Sequence, residues 1–539
     1  MFVIQENIHE KLCRSIFVTG CSLSMVDHPA WKEVWHSLRP SYNPPSRKVV
    51  EDVYLNSEYM RIFGDLTTAL SDSDNLHLHC EKSGSFKNEN ILNLWVSTVK
   101  PLFYKFVDLN HEDESQLLYQ ELLNIVSGYG AEKFLVVVVS DDNDIQSAIE
   151  ELKKNYDHLV PLNCLISTLK QLFEDILDSE SVKNHFDECS LLINAVYKSE
   201  LINDIFSQLL KINKCKTVLK TPIKNDYESY LQCLENLIKC KASLQQMVLN
   251  DQLTTFFKEK VHMKLRMKIL DCDHLWTNTE QMINIITPII DLIKDFSEEA
   301  EIYKVRDQYC ELEKTLTQAL LVSFLTGDEK NNLISNIEEK KKKILKPIHS
   351  AACLLDPNSQ GLKLTSEELL DGCEFIDTVA RNTPDIDARI VMDDLGDYRC
   401  KLKVWSRQFI WKSAATMTPL SWWRGLCSHS QLSKVAMKIL SAPVTAAVSD
   451  KSGNELVWIE KGKDENLSME KIEKLTFISH NWTVLNEHNF EKVQETLGGE
   501  NEQVQRIIVD GGNAVQLAGD TGNEEHVEYL EYEYLEETG

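Results

Sequence analysis

Glycine is scarce in this chain, 19 of 539 residues. That scarcity excludes collagen-like and glycine-rich low-complexity classes and points to a helix-dominated globular protein. No stretch approaches the roughly 20 consecutive apolar residues of a membrane-spanning helix. The densest apolar run, Phe134–Val139, is the length of a strand. No membrane association is expected. Basic charge is outweighed: 57 Lys and Arg stand against 84 Asp and Glu, a net charge of −27. This argues against a uniformly basic nucleic-acid binder, whose non-specific affinity comes from cations on phosphates, and leaves room for one local basic face. The fourteen cysteines include no Cys-x-x-Cys pair, and no histidine pair follows at zinc-finger spacing. Reduced, mostly buried thiols are expected. The sequence also lacks a phosphate-binding glycine loop, a serine nucleophile elbow and a His-Glu-x-x-His zinc motif. Residues Met1–Leu12 lack the layout of a secretory signal, so an intracellular address is expected.

The periodicities that are present divide the chain. Residues 1–70 read as helical, interrupted at Arg39-Pro40-Ser41-Tyr42-Asn43-Pro44-Pro45-Ser46-Arg47, where three prolines hold the chain extended. Leu76–Cys80, Ile91–Val96 and Leu102–Val107 follow as three strands. A helix over 115–126 ends at Gly128-Tyr129-Gly130. The unalternating run Phe134–Val139 then reads as a central strand covered on both faces. A helix over 145–156, a strand over 159–162 and a helix over 165–177 complete one mixed α/β layer across 71–178. From 179 to 438 the pattern is almost wholly helical, with a kink expected at Pro288. An amphipathic helix over 469–485 precedes an acidic tail. The last twenty residues carry eight acids and no Lys or Arg. Lys340–Lys343 with Lys346 reads as an import signal or as a solvated helix face paired to Glu338 and Glu339. His77 and His79 share one face of their strand and read as satisfied polar side chains.

Several of these segments, in order, resemble the hAT superfamily of cut-and-paste transposases and the host proteins derived from them. The segments are the proline-rich turn at 39–47, Lys100–Lys105, and Val139-Ser140-Asp141-Asp142. They continue with His349-Ser350-Ala351-Ala352-Cys353-Leu354-Leu355-Asp356-Pro357, with Trp422-Trp423, and with Ile439–Ala447. The resemblance implies an α/β ribonuclease-H-like core with a large all-α insertion and a C-terminal dimerisation segment. The domains are then 1–70 (helical), 71–178 (first part of the core), 179–414 (insertion), 415–490 (return to the core and dimerisation) and 491–539 (acidic tail). It further implies a subunit interface involving Trp422, Trp423, Ala436, Ile439, Leu440, Leu475 and Ile478, in a homodimer or a heterodimer with a related hAT protein. A nuclear address and nuclear protein partners follow.

In such transposases three carboxylates hold two divalent cations for strand cleavage and transfer, because hard cations need oxygen ligands on rigid strand ends. The positions here are Glu81, Asp141 and Asp450, with Mg²⁺ or Mn²⁺ as cofactor if the site is active. Glu81 stands where the family opens an Asp-Gly-Trp triplet, and Asp450 where it has the Glu of Ser-Glu-Arg. One acid is a methylene too long and the other a methylene too short, and about 1 Å of misplacement can cost on the order of a hundredfold in rate. The histidine of the family's Cys-x-x-His pair is replaced in Cys164-Leu165-Ile166-Ser167. The Thr-Arg-Trp triplet is replaced near Thr221-Pro222-Ile223, removing an aromatic platform for an extruded base. The family's zinc-binding BED finger is expected to be missing, which leaves DNA as a weak partner. The expectation is a scaffold that has lost its nuclease chemistry and serves as a nuclear interaction or transcription-regulatory factor. The rival expectation is an active metal-dependent DNA transposase.

Overall fold

Six consecutive apolar residues with no polar alternation must bury both faces of a strand, and Phe134–Val139 does so, with every residue buried. The computed structural model describes residues 2–82, 91–98, 100–110, 114–140, 142–198, 200–253, 260–270, 272–298, 300–446 and 467–500. Five strands form one mixed sheet: β1 (Leu76–Lys82), β2 (Ile91–Ser97), β3 (Pro101–Asp108), β4 (Phe134–Val139) and β5 (Val160–Asn163). Their spatial order is β3-β2-β1-β4-β5. The first three strands are joined antiparallel, while β1–β4 and β4–β5 run parallel. Parallel neighbours need a crossover, and helices Glu114–Tyr129 and Asn143–Asn155 supply it.

The strand and helix expectations over 71–178 are met within two residues, except that the helix expected to end at 126 runs through Gly128 to Tyr129. The C-terminal helix differs: it runs over Met469–Glu500, past the expected stop at Leu485. The sequence between 486 and 497 holds neither Gly nor Pro, so nothing there forces a stop before Gly498. Helix Thr277–Glu298 continues through Pro288. No described helix is long and apolar enough to cross a membrane.

Residues Met1–Trp482 make one compact unit; in the second, Thr483–Gly539, the described part is helical to Glu500. Within the first unit, one apolar cluster extends from β4 and β5 through the helices of the insertion to Val444 and Ala446. A second cluster joins the N-terminal helices to Leu475 and Ile478. Glu58, buried beside that second cluster, is clamped by Arg14 and Arg61, each reaching it at 2.6 Å. Burial works against its charge, and the two guanidinium groups more than offset that, holding its carboxyl below the usual range. Inside the insertion, helices Pro347–Leu355 and Ser366–Arg381 cross closely at Gly372. A Cβ there would lie 3.0 Å from the Ser350 carbonyl carbon and 3.1 Å from the Ala351 nitrogen. Glycine is required at this position by the crossing itself.

Candidate functional site

Parallel pairing places the C-terminal ends of β1 and β4 side by side. Cys80 lies opposite Val139, so Glu81 and Ser140 follow at the same edge of the sheet, and the Ser140 N–H donates to the Cys80 carbonyl at 3.3 Å. Glu81 is half-buried and lies opposite Asn93 of β2. Asp142 caps helix Asn143–Asn155: one carboxylate oxygen accepts from the Asp144 N–H at 3.0 Å and from the Ile145 N–H at 3.3 Å. Its other oxygen accepts from the Lys82 ammonium at 2.8 Å. Burial pushes the Asp142 carboxyl up, but Lys82 and the two backbone donors outweigh it and leave the group below its ordinary value.

The third side of this edge comes from far along the chain. Residues Ser441–Ala446 return to the sheet and are tied to it by buried polar groups. The Leu165 N–H donates to the Val444 carbonyl at 2.9 Å and the Ala446 N–H to Cys164 Sγ at 3.2 Å. Cys164 Sγ also caps helix Leu165–Leu177 and lies 3.4 Å from Thr445 Oγ1. On β1, His79 bridges the Thr445 carbonyl (3.0 Å) and Ser97 Oγ (2.9 Å), while His77 meets Ser441 Oγ at 3.1 Å. Burial drives both imidazoles down, His77 to about 3 and His79 to about 4, so both are neutral. They fasten the return segment rather than await a metal.

Of the three candidate acids, Glu81 is placed at the end of β1. Asp141 and Asp450 lie outside the described residues. What is described is their flanks: Ser140 and Asp142 on either side of Asp141, and Ala446, four positions before Asp450. Ser140 and Asp142 meet the β1 terminus, and Ala446 meets Cys164 just past β5, at the same end of the parallel strands. Among the described residues no group of three His, Cys, Asp or Glu side chains could hold a metal ion. Instead a lysine ammonium sits at this edge, and a fixed cation disfavours a divalent ion beside it. Lys82 escapes a reading that follows carboxylates alone; its signal is a lysine directly after the first acid, where the family has glycine.

The seven side chains expected at a subunit interface are all buried by the chain's own elements. Leu440 is the most exposed of them at 8 %. Trp422 Nε1 donates to the Ile410 carbonyl at 2.8 Å and Trp423 Nε1 to the Leu355 carbonyl at 2.7 Å, within an aromatic cluster with Tyr398, Trp405 and Trp411. Leu475 and Ile478 pack on the N-terminal helices. Three lysines of the basic run have acidic partners. Lys340 pairs with Asp175 at 3.1 Å, Lys341 with Glu313 at 2.6 Å and Lys343 with Glu339 at 3.5 Å. A cavity of about 330 Å³, lined in part by Lys153, His158, Phe375 and Lys438, lies at the opposite, N-terminal ends of β4 and β5. It takes no part in the acid-bearing edge.

With this geometry described, comparison with known proteins adds two findings. No curated protein matches the chain. A family model described as a domain of unknown function (DUF659), a family associated with hAT-like transposase-related proteins, matches residues 45–192, a span that contains the whole five-stranded sheet.

Proposed function

We propose that this chain is a hAT transposase-derived protein that keeps a ribonuclease-H-like scaffold, has lost two-metal nuclease chemistry, and works as a dimerising nuclear interaction or transcription-regulatory factor. The strand order β3-β2-β1-β4-β5, with three antiparallel strands followed by two parallel additions, supports the scaffold. The observation that carries the loss of chemistry is the Lys82–Asp142 ion pair across the ends of β1 and β4. In an active enzyme that edge concentrates negative charge to hold divalent cations. Here the protein supplies its own monovalent cation and spends an adjacent carboxylate on it and on a helix cap. A protein of this kind acts through its surfaces, with a second copy or a related hAT protein as the expected partner. The buried 422–440 and 475–478 positions would hold such a surface in shape from within.

The rival reading, an active transposase using Glu81, Asp141 and Asp450 with Mg²⁺ or Mn²⁺, draws on the placement of all three flanks at the same end of the parallel strands. Incubating the full chain with supercoiled and hairpin DNA in Mn²⁺ separates the two. The expected result is no cleavage beyond that of Asp141→Ala. Metal-dependent cleavage that Asp141→Ala abolishes would overturn the scaffold reading. Size-exclusion chromatography with light scattering tests the dimer; a strict monomer at micromolar concentration counts against it.

A further inference from the structure

The cysteines of this chain are mostly buried, and burial makes a thiol inert by disfavouring its thiolate. Among the partly exposed cysteines, Cys215 is set against a second thiol. Cys215 directly follows helix Glu200–Ile212. The preceding residue, Lys214, has φ +53°, and the Cys215 N–H donates back to the Leu210 carbonyl at 2.8 Å, so the backbone at the helix end is fixed. Its sulfur lies against helix Tyr227–Val248, 3.7 Å from the Lys239 carbonyl oxygen and 3.9 Å from the sulfur of Cys240. Cys240 is fully buried and Cys215 half-buried, so one sulfur meets solvent and the other waits behind it.

The two thiols differ chemically as well as in exposure. Burial pushes Cys240 up to about 12, with the charge of Cys215 adding to the effect. For Cys215 burial also acts upward, but the Thr217 N–H and hydroxyl, the Cys240 thiol and the Lys239 ammonium outweigh it, and its thiol falls below the ordinary value. The surrounding segment is basic: Lys211, Lys214, Lys216, Lys220 and Lys224 are all exposed and no acid stands between them. A reactive accessible thiol next to a protonated resolving thiol is the arrangement that peroxide chemistry uses.

We propose that Cys215 and Cys240 form an oxidation site for hydrogen peroxide, closing to a reversible disulfide that fastens the lysine-bearing segment 216–224 to helix Tyr227–Val248. The Cys215 thiolate attacks one peroxide oxygen; the O–O bond breaks, the other oxygen leaves as hydroxide and takes a proton to become water. Cys215 is then a sulfenic acid. The Cys240 sulfur attacks it, an S–S bond forms, the S–O bond breaks, and the departing oxygen takes the Cys240 proton and leaves as a second water. Two thiols are oxidised and one peroxide is reduced. Closing from 3.9 Å to the roughly 2.05 Å of a disulfide requires the Cys215 side to move, since Cys240 sits inside a packed helix. This site is independent of the transposase-derived reading.

Treating the full chain with an equivalent of hydrogen peroxide, alkylating it and mapping peptides without reduction tests the proposal. The expected result is loss of two free thiols and a Cys215–Cys240 cross-linked peptide that a dithiol reductant removes. Cys215→Ser abolishes the cross-link. Cys240→Ser, and Cys240→Ala as a second replacement at this buried position, leave a sulfenic acid on Cys215 that a 1,3-dione traps. Cross-links that bypass this pair, or a sulfenic or sulfinic acid persisting on Cys215 in the unaltered chain, would overturn the proposal.

Discussion

The sheet region and the helical insertion are built on different principles. The insertion is held by apolar contacts between helices, closed at their ends by local caps: Thr326 with Glu329 and Thr365 with Glu368 form capping boxes over three residues. The sheet shares that apolar core and adds buried polar contacts between residues hundreds of positions apart. His79 reaches Thr445, Cys164 reaches Ala446, and Asn481 reaches Phe103. That last contact is double. The Phe103 N–H donates to Asn481 Oδ1 and Asn481 Nδ2 donates to the Phe103 carbonyl, both at 2.8 Å, so one side chain satisfies the open backbone of edge strand β3. Apolar packing tolerates exchange of similar shapes, whereas a buried hydrogen bond demands its partner.

Substitutions in each region break or sharpen this contrast. Trp423→Ala removes a fully buried anchor that helix Pro419–Leu426 sets against the insertion's Leu355 and should cost about 3–5 kcal/mol, measured by urea unfolding. If the two regions differ as described, hydrogen exchange should show protection lost first around helices Pro347–Leu355 and Pro419–Leu426, with the β4 amides the last to open. Earlier opening of β4 would erase the distinction.

A smaller effect is expected from the titration of His79 alone. His79 is driven by burial from 6.5 to about 4 in the folded chain. The unfolded chain therefore binds the proton first. Stability is full above roughly pH 6.5 and declines as pH falls toward 4, by about 3 kcal/mol for this residue at 1.4 kcal/mol per unit. His79→Asn should flatten that part of the stability–pH curve, and an unchanged slope would remove His79 from the fastening of residues 441–446.

The smallest change expected is from Asn481→Ala, about 1–3 kcal/mol, because it strands the buried backbone groups of Phe103. Its exchange signature should be confined to β3 and the facing turn of helix Met469–Glu500. A loss spread evenly through the insertion would contradict the assignment.

Much of the architecture was legible along the chain because it rests on local signals. The apolar run Phe134–Val139, the breaker at Gly128–Gly130 and the helical spacing over 145–156 and 165–177 all depend on neighbours in sequence. The contacts that make the edge of the sheet were not legible. Lys82 meets Asp142 sixty positions away, and nothing near Asn481 signals that it will serve a strand. At 436–440 and 475–478 the packing partner was not legible either, since an apolar helix face has the same spacing whether it packs inside one chain or between two. The Cys215–Cys240 approach, which spans a helix end and a second helix, carries no spacing motif at all.

The return of residues 441–446 to the sheet has a consequence for biogenesis. Cys164 and Thr445 are separated by 281 positions. At a synthesis rate of about 5–20 residues per second, the ribosome delivers the second roughly 15–55 seconds after the first. Throughout that interval the nascent β1–β5 segment carries two histidines and a cysteine whose partners in 441–446 have not yet been translated. A chaperone that shelters this segment while the insertion is being made would shorten the list of wrong partners it can find.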